Sequence, residues 1–370
     1  MALLDIVFCA FIVVVVIQVF YYLLLFSRFA FSKQEKASSE NHPVSVIICA
    51  KNEGTNLKTF LPSIVSQKYP KFEIVLINDS SSDDTLEVIK HFESQHDNIK
   101  VVDVKGIEAF WGNKKYALTL GIKASSYDYL LFTDADCQPL SEFWIQEMSA
   151  HFSTKKSIVL GYGAYAKVKK SFLNKLVRFE TVTTAINYFS FALAGMPYMG
   201  VGRNLAYSKD EFFKANGFIN HIKLHSGDDD LFVNQVATSQ NTAVVFSKDA
   251  FTESKPKANF NAWFKQKRRH VTTAKHYQSK HKVLLGMLFS SNLFFWLLSC
   301  FLFLTGYEWK IVLGLFLSRL TIQYITFGFS SKKLNEKDLI YFLPILEIFL
   351  IITQFTIFII NLISKPSHWK

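Results

Sequence analysis

Residues 44–54 read Val44-Ser45-Val46-Ile47-Ile48-Cys49, then Ala50-Lys51-Asn52-Glu53-Gly54. A short run of β-branched residues without apolar/polar alternation is the pattern of a strand buried on both faces, as in parallel sheets. Phe72–Asn78 (FEIVLIN), Ile99–Val104 and Tyr127–Thr133 (YDYLLFT) repeat it. Between them, Asn56–Ser66, Asp83–Phe92 and Lys114–Lys123 carry apolar residues at helical spacing, with Ser82 as a candidate cap. Strands alternating with helices predict a doubly wound α/β sheet. Ligands of such sheets bind beyond the carboxyl ends of the strands, so the residues just after each strand matter most.

Outward from this core the chain becomes a membrane protein. Of its 370 residues 50% are hydrophobic, 16% aromatic and only 19% charged, against about 25% charged for ordinary soluble domains. A net charge of +11 suits an anionic partner, and 37 phenylalanines favour lipid over nucleic acid. Cys9, Cys49, Cys137 and Cys300 form no CxxC, which argues against a zinc site or a disulfide scaffold and for a reducing cytoplasm around the soluble part. Ile6–Phe26, Val283–Tyr307, Ile311–Phe329 and Leu339–Ile363 are each long and apolar enough to span. Arg28, Lys33 and Lys36 after the first run, and Lys332, Lys333 and Lys337 between the last two, place the central segment inside and the N-terminus outside. Four crossings then put Lys365 and Lys370 outside, against the same rule; a re-entrant Val283–Tyr307 would reverse that.

Polar groups gather where the strands end. Ala50, Asn52 and Glu53 follow the first; Asn78-Asp79-Ser80-Ser81-Ser82 closes the second; Asp134-Ala135-Asp136 follows the fourth. Turns and caps use the same residue types, so no one of these is diagnostic. Further on, Ser226-Gly227-Asp228-Asp229-Asp230-Leu231 sets three carboxylates in a row, costly unless a cation or a base is served, and Gln266-Lys267-Arg268-Arg269-His270 offers cationic forks suited to a diphosphate.

This ordered set resembles the inverting family-2 nucleotide-sugar glycosyltransferases of the GT-A (Rossmann-like) fold, in the membrane branch that includes cellulose and hyaluronan synthases and ceramide glucosyltransferase. The resemblance runs from Val44 to about His270, with the flanking apolar segments as one N-terminal and about three C-terminal transmembrane helices. It implies an anchor and linker (1–40), a nucleotide-sugar-binding half (41–170), an acceptor-binding half with a basic interfacial helix (171–282) and membrane helices (283–370). It implies that Ala50, Asn52, Glu53 and Asp79 hold the nucleotide, that Lys114 after Gly112-Asn113 meets the diphosphate, and that Asp134 and Asp136 hold Mg²⁺ or Mn²⁺. Asp228 becomes the general base, with Asp229 as the alternative if the register slips at Gly227, and Gln266 and Arg269 match the QxxR motif. His270 stands where the family has Trp, which weakens a processive reading. Gly202, Asn204 and His270 are the expected acceptor contacts.

Crowding by Asp229 and Asp230 is expected to raise the Asp228 pKa. Ser171–Met199 reads equally as a buried or an interfacial helix, whereas Ala258–Lys282, basic and aromatic, belongs at an anionic headgroup surface. The expected activity is transfer of a sugar from a UDP donor to a lipid or lipid-linked glycan at the cytoplasmic face of the cell inner membrane, with processive polysaccharide synthesis as the alternative. A non-catalytic scaffold or nucleotide-sensing module is disfavoured by the intact Asp79, Asp134, Asp136, Asp228 and Arg269. The expected partners are the nucleotide sugar, the acceptor and the bilayer, without nucleic acid; oligomeric state is open. Finally, Arg319 and Glu347 are the only charges within the last two spans and fall at similar depth, which predicts an intramembrane ion pair.

Overall fold

The computed structural model describes residues 3–35, 40–105, 114–224 and 226–364. Gly112, Asn113, Lys36, Lys365 and Lys370 of the readings above lie outside them. Helix α1 (Leu3–Ala30) leads into strands β1 (Val44–Ala50), β2 (Phe72–Asp79), β3 (Ile99–Val104) and β4 (Tyr129–Phe132), joined by helices α2 (Gly54–Val65), α3 (Thr85–Gln95) and α4 (Lys114–Ala124). Ser82 does not cap α3: its hydroxyl and amide both donate to Asn52, while Asp83 accepts from the Thr85 amide at 3.1 Å.

Short strands complete the sheet: β5 (Cys137–Pro139), β6 (Ile158–Leu160), β7 (Gly163–Tyr165), β8 (Leu205–Ser208), β9 (Thr242–Val244) and β10 (Thr252–Ser254). The main sheet runs β3-β2-β1-β4-β8-β6-β9 and a second, small one β5-β10-β7. The sheet is mixed, because β8 lies antiparallel to both β4 and β6. Residues 41–170 and 171–282 thus share one sheet, with β8 from the second half seated between strands of the first. The chain reverses its winding at β1, between β2 and β4, and the carboxyl ends of these three strands form one edge.

One face of the sheet is covered by α2 and α3. Against the other packs α5 (Phe172–Leu193), capped by Ser171, whose hydroxyl accepts the Asn174 amide at 3.1 Å. Most of α5 is buried, which settles Ser171–Met199 as a core helix. Beyond it come α6 (Asp230–Val236), α7 (Phe260–Val271), α8 (Ser279–Thr305), α9 (Trp309–Lys333) and α10 (Leu343–Ile363). Among the described residues four helices are long and apolar enough to cross a membrane: Leu3–Ala30, Ser279–Thr305, Trp309–Lys333 and Lys337–Ile363.

The apolar helices are fixed to the domain. Phe29 at the foot of α1 is fully buried, its ring 5.1 Å from Phe189 and 5.2 Å from Phe246. Lys333 closes α9 by donating to the Phe29 carbonyl at 2.6 Å. Arg178 of α5, itself buried, binds Glu336 and Asp338 in the link between α9 and α10, and Lys167 lies 3.6 Å from each acid. Buried charges persist only when paired, so this knot fixes the link on α5.

A second polar cluster joins the four apolar helices themselves. Arg319 of α9 is wholly buried, with Nη2 2.7 Å from Glu347 Oε1 and Nη1 3.1 Å from Oε2. Gln18 of α1 and Gln323 accept from the guanidinium, and Trp296 of α8 donates to Glu347 at 3.1 Å. In a dry environment each partner answers a group that would otherwise be orphaned. Replacing either Arg319 or Glu347 alone by Met should therefore destabilise by about 3–5 kcal/mol, with substantial recovery in the double variant. Thermal unfolding in detergent reads this directly; additive losses would contradict a pair.

Candidate active site

The pocket opens at the carboxyl edge of β1, β2 and β4. Asp134 leaves β4, Lys114 begins α4, and Asp228 and Asp229 precede α6. Lys114 Nζ bridges them, 2.9 Å from Asp134 Oδ1 and 3.0 Å from Asp228 Oδ2. Ile47, Cys49, Leu118, Leu205 and Tyr207 form the apolar floor. Burial works against the Lys114 charge, yet Asp134 and Asp228 outweigh it and raise its pKa well above the ordinary value. Asp228 shows the opposite balance: burial pushes its carboxyl up, Lys114 pulls it down further, and the net shift is downward. The sequence expectation of a raised Asp228 is thus reversed, because a cation distant in the chain outweighs the adjacent acids.

Asp229 takes the upward shift instead. Burial, then Asp228 and Asp230, push its carboxyl up to about 7. Its oxygens accept from the amides of Gly202 and Asp230, both at 2.7 Å. Asp230 turns away from the pocket and accepts from Thr273 and from Tyr277 (2.6 Å), fixing α6 to the segment after α7.

Asp134, Asp136 and Cys137 bring possible donor atoms within 4.8 Å of one another. Burial and the two acids keep the Cys137 thiol protonated, its pKa well above the ordinary value. Two carboxylates remain, a donor set that fits a hard divalent ion completing its shell with phosphate oxygens and water. Arg203, from the turn before β8, stacks on Tyr165 at 4.3 Å and donates to Ala164 O and Ser254 Oγ, both at 2.9 Å, pinning β7 to β10 beside these acids.

The other expected residues divide. Asp79 is buried at the end of β2, its pKa raised by burial against the opposing pull of Lys51 and Lys114. Asn52, at φ +56°, accepts the Ser82 amide at 2.8 Å, and the Glu53 carboxylate accepts from Asn56 at 2.5 Å, so both side chains brace the turn. Ala50 is buried in the strand core. Arg269 of α7 lies within electrostatic reach of Asp228, Asp134 and Asp229. Gln266 is half-buried, and His270 is exposed on the same helix. Asn204 is a correction: fully buried, it donates to Tyr162 O and Ala250 O and accepts from the Trp144 indole, so it cannot face an acceptor. Arg268 ties α7 to Asn361 at the end of α10, at 2.9 Å.

Lys115 escaped the sequence reading. Its ammonium donates to the carbonyls of His221, Leu224 and Ser226 at 3.0, 2.7 and 2.6 Å, gathering the loop that delivers Asp228. In sequence it is one lysine beside another, with nothing to mark an inward side chain.

This sheet, with an acidic pair on its switch edge and a cation between them, is a GT-A-like glycosyltransferase architecture. The family model for glycosyl transferase family 2 matches residues 45–204, and that for glycosyl transferase family group 2 matches residues 130–359. The chain belongs to glycosyl transferase family group 2. It is 40% identical over 111 residues to a poly-beta-1,6-N-acetyl-D-glucosamine synthase of Staphylococcus epidermidis, a stretch covering 30% of this chain and 25% of that protein. With glycosyltransferase AglE of Haloferax volcanii it shares 32% over 120 residues, 32% of this chain and 38% of that one. The chain therefore matches only a minority of the length of either relative. The mannosyltransferase PcManGT of Pyrobaculum calidifontis, solved with GDP-Man and Mn²⁺, superposes with a TM-score of 0.60 over 90% of this chain and 99% of that one, at 15% identity, a likeness of fold.

The Asp229 shift has a sign that can be measured. Between its unfolded value of 3.8 and its folded value of about 7, the native state holds a proton the unfolded chain has lost, so stability falls as pH rises through that window and is flat above it. Asp229→Asn should therefore gain in melting temperature relative to the parent from about pH 4 to pH 7. A parallel pair of melting curves across that range would contradict the assignment.

Proposed function

We propose that the chain is a membrane-bound, metal-dependent, inverting glycosyltransferase that moves a sugar from a nucleoside diphosphate donor, UDP by family resemblance, to a lipid or lipid-linked glycan at the cytoplasmic face. The observation that carries this reading is the Lys114 bridge, which brings Asp134, the first acid of the DxD, and the Asp228 loop to one point. Asp79 and the braced turn of Asn52 and Glu53 line the nucleotide end, while Lys114 and Arg269 supply fixed positive charge where the diphosphate leaves. Asp134 and Asp136 would hold Mg²⁺ or Mn²⁺, which when bound neutralises charge on the leaving diphosphate.

Asp228 takes the proton of the acceptor hydroxyl as that oxygen attacks the anomeric carbon from the side opposite the diphosphate. In the free protein Lys114 holds Asp228 ionised. A diphosphate competes for that same ammonium, and as Lys114 turns to it Asp228 loses the partner that depresses its pKa and becomes a stronger base. Gly202 and Asp229 form the acceptor side of the pocket, with Gln266 and His270 on α7 nearer its mouth. The similarity to a poly-beta-1,6-N-acetyl-D-glucosamine synthase supports a second reading, repeated transfer to a growing polymer.

Asp136→Ala and Asp228→Asn should each lower transfer more than about a hundredfold, the usual scale for a lost base. Donor binding should weaken only in the first, and chelation should mimic it, with recovery on adding Mg²⁺ or Mn²⁺. Near-normal turnover in Asp228→Asn with an inactive Asp229→Asn would move the base by one residue. Membranes given radiolabelled nucleotide sugars should carry label into a lipid extract. Label in polymer would establish the second reading, and no incorporation with any donor would refute both.

A further inference from the structure

Helix α10 has the length of a span and touches the apolar bundle near its start, where Glu347 meets Arg319 and Trp296, but both of its ends rest on the domain. At its start the Lys175 ammonium of α5 lies 4.1 Å from the centre of the Phe342 ring. Two turns on, Phe349 packs against Phe172 of α5 at 5.2 Å. At its far end Arg268 of α7 donates to Asn361 Oδ1 at 2.9 Å and to the Ser364 carbonyl at 2.8 Å, and Asn361 returns a bond to the Arg268 carbonyl at 3.2 Å. Both α5 and α7 belong to the domain: α5 is largely buried within its core, and α7 joins that core through Trp263 and pairs with α5 through Lys267 and Glu180.

From Phe342 to Asn361 the helix covers about 28 Å at 1.5 Å per residue, close to the thickness of the hydrocarbon layer. Had it crossed, Asn361 would lie that far from the domain. Helix α8 does travel: it starts with His281 beside Asn234 of α6, at 3.1 Å, and beyond its end Tyr307 bonds Asp5 near the start of α1. A helix whose two ends rest on one face of a domain cannot have them on opposite sides of a bilayer.

We propose that α10 lies within the lipid leaflet nearest the domain, with Glu347 reaching the Arg319 cluster and its far end back on α7, so that the chain crosses the bilayer three times and its C-terminus is on the domain side. The inner face of the helix, Leu343, Leu346, Leu350 and Ile357, is buried against the protein. The outer face, with Ile345, Ile352, Phe355, Phe358, Ile359 and Leu362, is exposed and predominantly apolar, which fits acyl chains; the Thr356 hydroxyl on it is turned back to the Ile352 carbonyl. Two further observations identify lipid as the occupant. Large apolar residues are likewise exposed on α8 and α9, which adjoin α10 through the Glu347 cluster, among them Phe294, Leu297, Leu317 and Ile325. Lys265 on α7, Lys275 in the link after it, and Lys280 and Lys282 at the start of α8 are exposed, a cationic set suited to anionic headgroups.

The placement also removes a conflict in the charge pattern. With three crossings Lys365 and Lys370 share a side with Lys332, Lys333 and Lys337, as the positive-inside rule requires. The test is independent of the sugar and of catalysis. The full-length chain carries one epitope tag before Met1 and another after Lys370, and right-side-out and inverted membrane vesicles are treated with protease. Three crossings put the tags on opposite sides, so the C-terminal tag should be lost in the preparation that cleaves the domain and the N-terminal tag in the other. Loss of both tags in the same preparation would mean an even number of crossings and would overturn the proposal.

Discussion

One ammonium holds the pocket together. Three consecutive carboxylates face or flank a buried site that already contains Asp134, and burying so many like charges costs far more than packing returns unless a cation joins them. Lys114 joins Asp134 to Asp228, Asp229 sheds its charge by keeping its proton up to about pH 7, and Asp230 is stabilised outside the pocket by Thr273 and Tyr277. The three acids are therefore chemically different groups, although the chain writes them as one repeated residue. Lys115, next to Lys114, holds the loop that presents them, so two adjacent lysines at the start of α4 govern respectively the charge and the position of the same segment.

The second constraint lies between domain and membrane. The knot of Arg178, Lys167, Glu336 and Asp338 holds the link between α9 and α10 on α5, and Lys333 closes onto the foot of α1. Arg319 and Glu347 join the middle of α9 to the first turns of α10. Since α5 also packs on the sheet, and α7 carries Arg269 towards the pocket while Arg268 grips α10, the catalytic edge and the lipid-facing helices form one mechanical unit.

Much of this was legible in the sequence, for reasons specific to each element. The first four strands and their helices appear within three residues of their predicted limits, because a run such as Ile74–Ile77 is apolar for one reason only, burial on both faces. Strands of three or four residues, β5 to β10, are too short to show any periodicity, and with them went the antiparallel β8 that makes the sheet mixed. The acids of the site were visible as types, but their acidities were not: that order depends on Lys114, adjacent to Asp228 only in space. Asn204 looked like a loop residue awaiting a ligand because polar side chains are usually exposed, and it is instead the hydrogen-bonding centre of a buried turn. The last helix is apolar enough to span despite Glu347, Gln354 and Asn361, so hydropathy alone cannot tell a crossing from a docked helix; its contacts with α5 and α7 separate the two.

The insertion of Phe29 among Phe189 and Phe246 makes the catalytic domain an incomplete object on its own. Cutting the chain after its first helix would open a cleft lined by aromatic rings where a soluble enzyme has a finished surface, and such a fragment would seek another hydrophobic body to fill it. The membrane helices are in this sense part of the enzyme's interior rather than its tether, and a purified form has to be sought with them in place.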